Sequence, residues 1–150
     1  MAAIPQNFFD RFPTFRPEPR ARISVQFRRL AAHMKWETGS RRWRKMWKEC
    51  MGSEFSRLYG DNASRLQSWQ DLCLDLGLQA PPSITKCKKL LSSVYVNIVD
   101  LIDCRAAGEI PRMFSSVAAL KEYTRKYGQV FPRELAKEEG FIRILLKKIA

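Results

Sequence analysis

The feature that most constrains this fold is a helical spacing of apolar residues that recurs between short breaks. In the first such stretch the apolar positions are Ile23, Phe27, Leu30 and Ala31. Steps of three, four and one place side chains on one face of a helix, whereas a strand would alternate with period two. About six stretches of this kind follow one another, separated by Gly, Ser or Pro. The sequence therefore predicts an all-α fold, an irregular bundle of about six helices with an extended, Pro- and Phe-rich N-terminal arm.

Serine residues mark where several helices should begin. Ser40, Ser83 and either Ser115 or Ser116 precede apolar stripes, and a serine side chain can accept a hydrogen bond from a free backbone N–H there. The second helix should run from Ser40 to about Tyr59. Helices end where glycine stops them, and the expected stops are Gly60, Gly77, Gly108 and Gly128. Asp61 is the predicted cap of the third helix, and Pro132 the first position of the last one.

The stretch from Ser83 to Ala107 is ambiguous. Residues 94–99 read Val-Tyr-Val-Asn-Ile-Val, a β-branched run that is typical of a strand. However, Val94, Ile98 and Leu101 continue a helical stripe, and a lone strand would have no partner elsewhere in the chain. We therefore predict one helix to Ala107, with a break at Asn97 as the alternative.

The first 22 residues form a segment of different character. Four prolines, Pro5, Pro13, Pro17 and Pro19, disfavour helix and predict an extended chain. Four phenylalanines lie between them: Phe8, Phe9, Phe12 and Phe15. We expect an arm, residues 1–22, packed on or appended to a single helical domain, residues 23–150. The arm either fills grooves of that domain with phenylalanine, or orders on a partner, or is disordered.

The net charge of +12 is large for 150 residues. It is concentrated at the ends: residues 1–60 carry a net +8, residues 61–108 none, and residues 109–150 a net +4. Such an excess favours a nucleic acid, contacted non-specifically through its phosphate backbone, as partner, with an acidic protein as the alternative and solubility alone as the plain explanation. Neither a signal peptide nor a membrane span is predicted, so we expect an intracellular protein, cytoplasmic or nuclear.

The densest basic cluster surrounds two tryptophans in the second predicted helix. Residues 41–48 read Arg-Arg-Trp-Arg-Lys-Met-Trp-Lys. On a helix the two indoles share one face, and most of the cations lie towards the other. The predicted nucleic-acid-binding residues are Arg28, Arg29, Arg41, Arg42, Arg44, Lys45 and Lys48. The alternatives are a core helix with a solvated face, a nuclear-import signal and a calmodulin-type target helix; the tryptophans could also stack on unpaired bases.

Little in the sequence favours catalysis, a metal or a cofactor, and we predict none of them. Only one histidine, His33, is present, and no two of the four cysteines, Cys50, Cys73, Cys87 and Cys104, have zinc-ligand spacing. The cysteines lie within apolar helical patterns, which predicts buried free thiols. Two pairs of carboxylates have helical spacing and are expected on solvated faces: Asp71 with Asp75, and Asp100 with Asp103. No glycine-rich phosphate loop or nucleophile elbow is found.

Parts of the sequence also resemble two known groups of proteins. Residues 83–102, with Lys86, Lys88 and Lys89, resemble the SAP-type helix-extended-helix motif of DNA-binding proteins, although the usual glycine and lysine after the turn are absent. The segments Trp69-Gln70-x-Leu72-Cys73, Ser83–Lys89, Val96–Leu101 and Phe131-Pro132-Arg133 with Ala136-Lys137 resemble a set of small basic helical proteins of filamentous fungi. The second resemblance covers most of the chain from Phe27 onward. It implies a shared helical fold and supplies no catalytic residues.

Overall fold

The computed structural model describes residues 7–18, 20–59, 65–135 and 141–146, and the side chains of all these except 141 and 142. The described chain is all-α, as predicted. Its α-helices are α1 (Ile23–His33), α2 (Arg41–Tyr59), α3 (Leu66–Asp75), α4 (Ile84–Ser92), α5 (Ile98–Ala107), α6 (Val117–Tyr127) and α7 (Phe141–Leu146). Two short 3-10 helices, Phe8–Arg11 and Arg133–Leu135, complete the elements.

The helices begin where the sequence indicates. Ser40, Ser83 and Ser116 each accept a hydrogen bond from the backbone N–H three residues later, at 3.1–3.2 Å. The first apolar stretch forms α1 as predicted, and α2 is one unbroken helix despite Gly52. A Cβ at Gly52 would lie 3.2 Å from Leu135 Cδ2, so this position lets the chain before α7 approach α2 closely. Gly60 and Asp61, the predicted stop and cap, lie outside the described residues, but the N-cap of α3 is Arg65, so the cap predicted at Asp61 is wrong.

The prediction of a single long helix to Ala107 is wrong, and the alternative, a break at Asn97, is confirmed. The segment divides into α4 and α5, separated by an extended piece at residues 94–97. Asn97 caps α5, because its Oδ1 accepts the N–H of Asp100 at 3.0 Å. The extended piece also has the partner that the sequence did not reveal: Val96 forms an antiparallel bridge with Met113, and Phe114 N–H donates to Tyr95 O at 2.8 Å.

The described part of the arm lies against the helices. Phe8 and Phe9 are 1% exposed and Phe15 is 8% exposed. The Phe8 N–H donates to Glu54 Oε1 on α2 at 3.3 Å. The arm is therefore not wholly extended, since Phe8–Arg11 forms a 3-10 turn that delivers two aromatic rings to the core. Residues 1–6 and Pro19 lie outside the described residues.

Helix α5 is the centre of the fold, and it packs against α1, α2 and α7. Every residue from Ile98 to Cys104 is buried. The four cysteines are free and buried, as predicted. Cys73 on α3 is in contact with Cys87 on α4, and burial raises the pKa of the Cys73 thiol to about 12. These thiols pack as small apolar side chains.

The solvated face expected for Asp100 and Asp103 is wrong, because both carboxylates are buried. Asp103 is 1% exposed, and it accepts hydrogen bonds from the backbone N–H and the hydroxyl of Ser24 on α1. Gln129 Nε2, in the loop after α6, donates to Asp100 at 3.1 Å and to Asp103 at 3.3 Å. These donors come from distant parts of the chain. The hydrogen bonds that tertiary packing provides offset the free-energy cost of burying the acids.

The other predicted pair has a mixed outcome. Asp71 is exposed and accepts a hydrogen bond from Gln67 one turn earlier. Asp75 is half-buried, where it accepts the hydroxyl of Tyr59 at 2.9 Å and pairs with Arg105. The last helix also differs from the prediction, since Pro132 precedes a 3-10 turn and α7 begins at Phe141.

Candidate nucleic-acid interface

The first half of α2 carries five cations on its outer side. Arg41, Arg42, Arg44, Lys45 and Lys48 are all exposed. At 100° per residue, four of them fall within an arc of about 100° around the helix, and Arg42 lies about 60° beyond it. We call these five residues the α2 strip. Trp47 and Cys50 lie on the opposite side, in the core, so the core fixes the direction in which the α2 strip faces.

Within the described part of the chain, the cations of the α2 strip form no ion pair with an acidic residue. Among the described residues the ion pairs are Arg11–Glu49, Arg22–Glu109, Arg29–Glu18, Arg57–Glu54 and Arg105–Asp75, and none includes a member of the α2 strip. Glu49, the acid nearest in sequence to Lys48, is turned to Arg11 at 3.7 Å. The α2 strip is thus a surface of positive charge that nothing in the described chain neutralises.

This arrangement costs stability in two ways. Neighbours three and four apart in the α2 strip are all cationic, and each such like-charge pair destabilises a helix by about 0.2–0.5 kcal/mol. The first turn of α2 contains no acid and three arginines. Cations at a helix N-terminus oppose the helix dipole, by about 0.3–1 kcal/mol each. A helix optimised only for folding would carry the opposite charges here.

The two tryptophans of the basic cluster belong to the core. Their rings stack on each other at 5.3 Å with an angle of 8°, and both meet Phe27 edge-on. Trp47 is 5% exposed, and its indole N–H donates to Val130 O at 2.8 Å. Trp47 therefore has no free face for a nucleobase, whereas Trp43 is half-buried with one face covered by Trp47.

The two predicted residues on α1 take different positions. The Arg28 guanidinium lies 5.6 Å from the Trp47 ring, and it donates to Gln129 Oε1 at 3.0 Å. Arg29 lies over Phe15 at 5.5 Å, with Glu18 3.8 Å away. Arg28 is therefore held beside the core tryptophans, whereas Arg29 is directed to the arm and is partly balanced by an acid.

Sequence reasoning missed the buried polar network below this surface. Asn97 Nδ2 donates to Thr124 Oγ1 at 3.1 Å and to Gln129 O at 2.8 Å. Burial, opposed by the hydrogen bonds from Ser24, raises the pKa of Asp103, and the nearby charge of Asp100 adds to this rise. The one signal available was local, because Asn97 precedes a helical stripe and is a good N-cap.

Comparisons with known proteins leave the function open. No protein-family model matches the sequence, and no curated protein or solved structure shows significant similarity to it. The two resemblances noted above therefore stay predictions. No helix in the described ranges is long and apolar enough to cross a membrane. Those same ranges contain no group of three or more His, Cys, Asp or Glu side chains placed to hold a metal ion.

Proposed function

We propose that this protein is a non-catalytic module that binds nucleic acid non-specifically, through contacts of the α2 strip with backbone phosphates. The observation that carries this proposal is the α2 strip itself: five exposed cations on one helix, with no ion pair among the described residues. Phosphates are the ligands that a row of unpaired arginines and lysines suits, because each contact releases counterions from the nucleic acid.

The cost of the α2 strip supports a binding role over solubility alone. Solubility requires net charge, but it does not require that charge to stand where it opposes a helix dipole and repels its neighbours. A bound polyanion reverses both penalties at once. It screens the repulsion between the cations, and it places negative charge near the N-terminus of α2.

The burial of Trp47 predicts how the partner is bound. With Trp47 buried, we expect the α2 strip to contact the sugar-phosphate backbone rather than to stack on unpaired bases. We therefore expect a duplex to bind at least as well as a single strand of the same length. An acidic protein is the alternative partner, since the α2 strip would also attract a row of carboxylates.

The test measures how a labelled 20-base-pair duplex binds to the full chain at rising salt. If all five cations contact phosphates, log K should fall with log salt with a slope of about −4.5, which is several hundredfold between 50 and 200 mM. The variant Arg41→Gln/Lys45→Gln/Lys48→Gln should make this slope shallower by about 3.

A matched control removes the same three charges elsewhere. Arg16, Lys86 and Lys89 are exposed, and Lys86 and Lys89 are also cations of the SAP-type resemblance. The variant Arg16→Gln/Lys86→Gln/Lys89→Gln should leave the slope within about one unit of the wild type. Equal losses in the two variants would mean that total charge matters and the α2 strip does not. Tighter binding of a glutamate-rich peptide than of the duplex would favour the acidic protein partner.

A further inference from the structure

A cavity of about 150 Å³ opens between α5, α6, the loop after α6 and α7. Its apolar wall is formed by Ile98, Val130, Phe131 and Leu146. Cavities of roughly this size with apolar walls hold a molecule such as benzene. The cavity therefore has room for one small apolar group and is too small for a folded partner.

Three cations line the same cavity, and no described lining residue is acidic. They are Lys121 and Arg125, one turn apart on α6, and Arg133 in the 3-10 turn that precedes α7. Arg125 and Arg133 are exposed, and Lys121 is half-buried. Within the described residues none of the three forms an ion pair. A ligand in the cavity thus meets positive charge where the cavity opens to solvent.

The neutral polar groups of the wall are already hydrogen-bonded within the protein. The Gln129 amide is engaged with Arg28, Asp100 and Asp103. Asn97 uses its oxygen to cap α5 and its nitrogen to hold Thr124. A ligand group with several polar atoms, such as a nucleobase, would find few free partners here and would lose its hydrogen bonds to water.

We propose that this cavity binds a small organic anion, with a ring-sized apolar group inside and a phosphate or carboxylate group at Lys121, Arg125 and Arg133. The apolar wall supplies burial, and the three cations supply charge-assisted hydrogen bonds that fix the orientation. The site is separate from the α2 strip, yet it adjoins Trp47, whose indole N–H is bonded to Val130 in the cavity wall.

Phenyl phosphate is the probe, and NMR of the full chain is the readout. We expect saturable shifts of the Ile98 and Val130 methyl signals and of the Trp47 indole N–H at millimolar ligand. The methyls of Leu74, which lies at a different cavity beside Ile110, should not move. Inorganic phosphate and benzyl alcohol should each bind at least about tenfold more weakly, because each lacks one half of the recognised chemistry.

Neighbouring cations on α6 provide the matched variants. Arg125 lines the cavity, whereas Lys126 does not and lies over Tyr127 instead. We expect Arg125→Gln to weaken phenyl phosphate binding about three- to tenfold, and Lys126→Gln to leave it within about twofold. Arg133→Gln repeats the test on a second element, and all three positions are exposed, so the fold should persist.

Three results would overturn the proposal. The first is the absence of saturable shifts at millimolar phenyl phosphate. The second is equal loss in the Arg125→Gln and Lys126→Gln variants, which would indicate general attraction to a basic surface. The third is uridine monophosphate binding as tightly as phenyl phosphate, because a polar base in the cavity contradicts an apolar recognition site.

Discussion

The charged residues of α2 and α5 are placed in opposite ways. On α2, Arg41, Arg44 and their neighbours face solvent, unpaired and at the unfavourable end of the helix dipole. On α5, Asp100 lies in the favourable first turn and Asp103 three residues later, but both are buried and accept hydrogen bonds from Gln129, and Asp103 also from Ser24. The charges of α2 are therefore available to a binding partner, whereas those of α5 are satisfied by hydrogen bonds within the protein.

This difference shows that the role of a charged residue depends both on its exposure to solvent and on whether it has hydrogen-bond or ion-pair partners. A buried carboxylate with a full set of donors is a structural element, and removing it damages the fold. An exposed cation without partners does not stabilise the fold, so removing it should weaken binding without destabilising the protein. Mutations of the two regions should therefore fall into two separate classes.

The largest effect is expected at α5. Asp103→Ala leaves the N–H and hydroxyl of Ser24 buried without an acceptor, and removes one partner of Gln129. We expect the free energy of unfolding to fall by about 3 kcal/mol, measured by urea denaturation. Asp71→Ala, on the exposed side of α3, is the control and should change it by under about 0.5 kcal/mol. Similar losses in both variants would show that the network does not stabilise the fold.

A smaller loss is expected where the network reaches the loop after α6. Gln129→Ala removes the donor shared by Asp100 and Asp103 and frees Arg28. We expect a loss of about 2 kcal/mol in the free energy of unfolding. In a double-mutant cycle, Gln129→Ala and Asp103→Ala should couple by about 1 kcal/mol, because they share one hydrogen bond. Strict additivity of the two losses would contradict the shared contact.

At α2 we expect a change of the opposite sign. Arg41→Glu places an acid at the N-terminus of the helix and removes repulsion from Arg44 and Lys45. The free energy of unfolding should rise by about 0.5–1 kcal/mol at low salt, while binding of the duplex weakens. The control is Lys126→Glu, which replaces a cation with an acid at the C-terminal end of α6. Because a cation is favourable at that end of a helix, this change should destabilise the protein. Destabilisation by Arg41→Glu would mean that the α2 strip has a role in the fold.

The smallest effect concerns pH. Burial raises the pKa of Asp103 above its ordinary value of 3.8 in the folded state. The folded protein therefore holds this proton more tightly than the unfolded chain does. Its contribution to stability is complete below pH 3.8 and is lost as the pH rises through the folded pKa. The unfolding free energy of the wild type, relative to Asp103→Asn, should decline from pH 4 to 7. An increase of this relative stability over the same range would show that folding lowers the pKa of Asp103 instead of raising it.

Much of the secondary structure was predictable because its causes are local. The bounds of α1 follow from the spacing of Ile23, Phe27 and Leu30, and the starts of three helices follow from serine caps. The outward direction of the α2 strip was predictable for the same reason, since Trp47 and Cys50 must face the core. Whether a nucleic acid binds there stays a prediction.

The split between α4 and α5 was predicted only as an alternative, because the bridge partner of Val96 is Met113, which lies beyond the helix that follows. The burial of Asp103 was missed for a related reason. From sequence alone, a carboxylate is expected to face solvent unless its hydrogen-bond donors are known. The donor to Asp103, Ser24, lies 79 residues away in the chain.

By itself, the sequence determined which segments are helical, where most of them begin, and which face of α2 carries the cations, because periodicity and capping act over a few residues. Only the tertiary structure determined that the acids of α5 are buried and that a cavity forms beside Gln129. Both depend on donors and walls that only packing brings together, because burial of a charge is tolerable only when distant parts of the chain supply its hydrogen bonds.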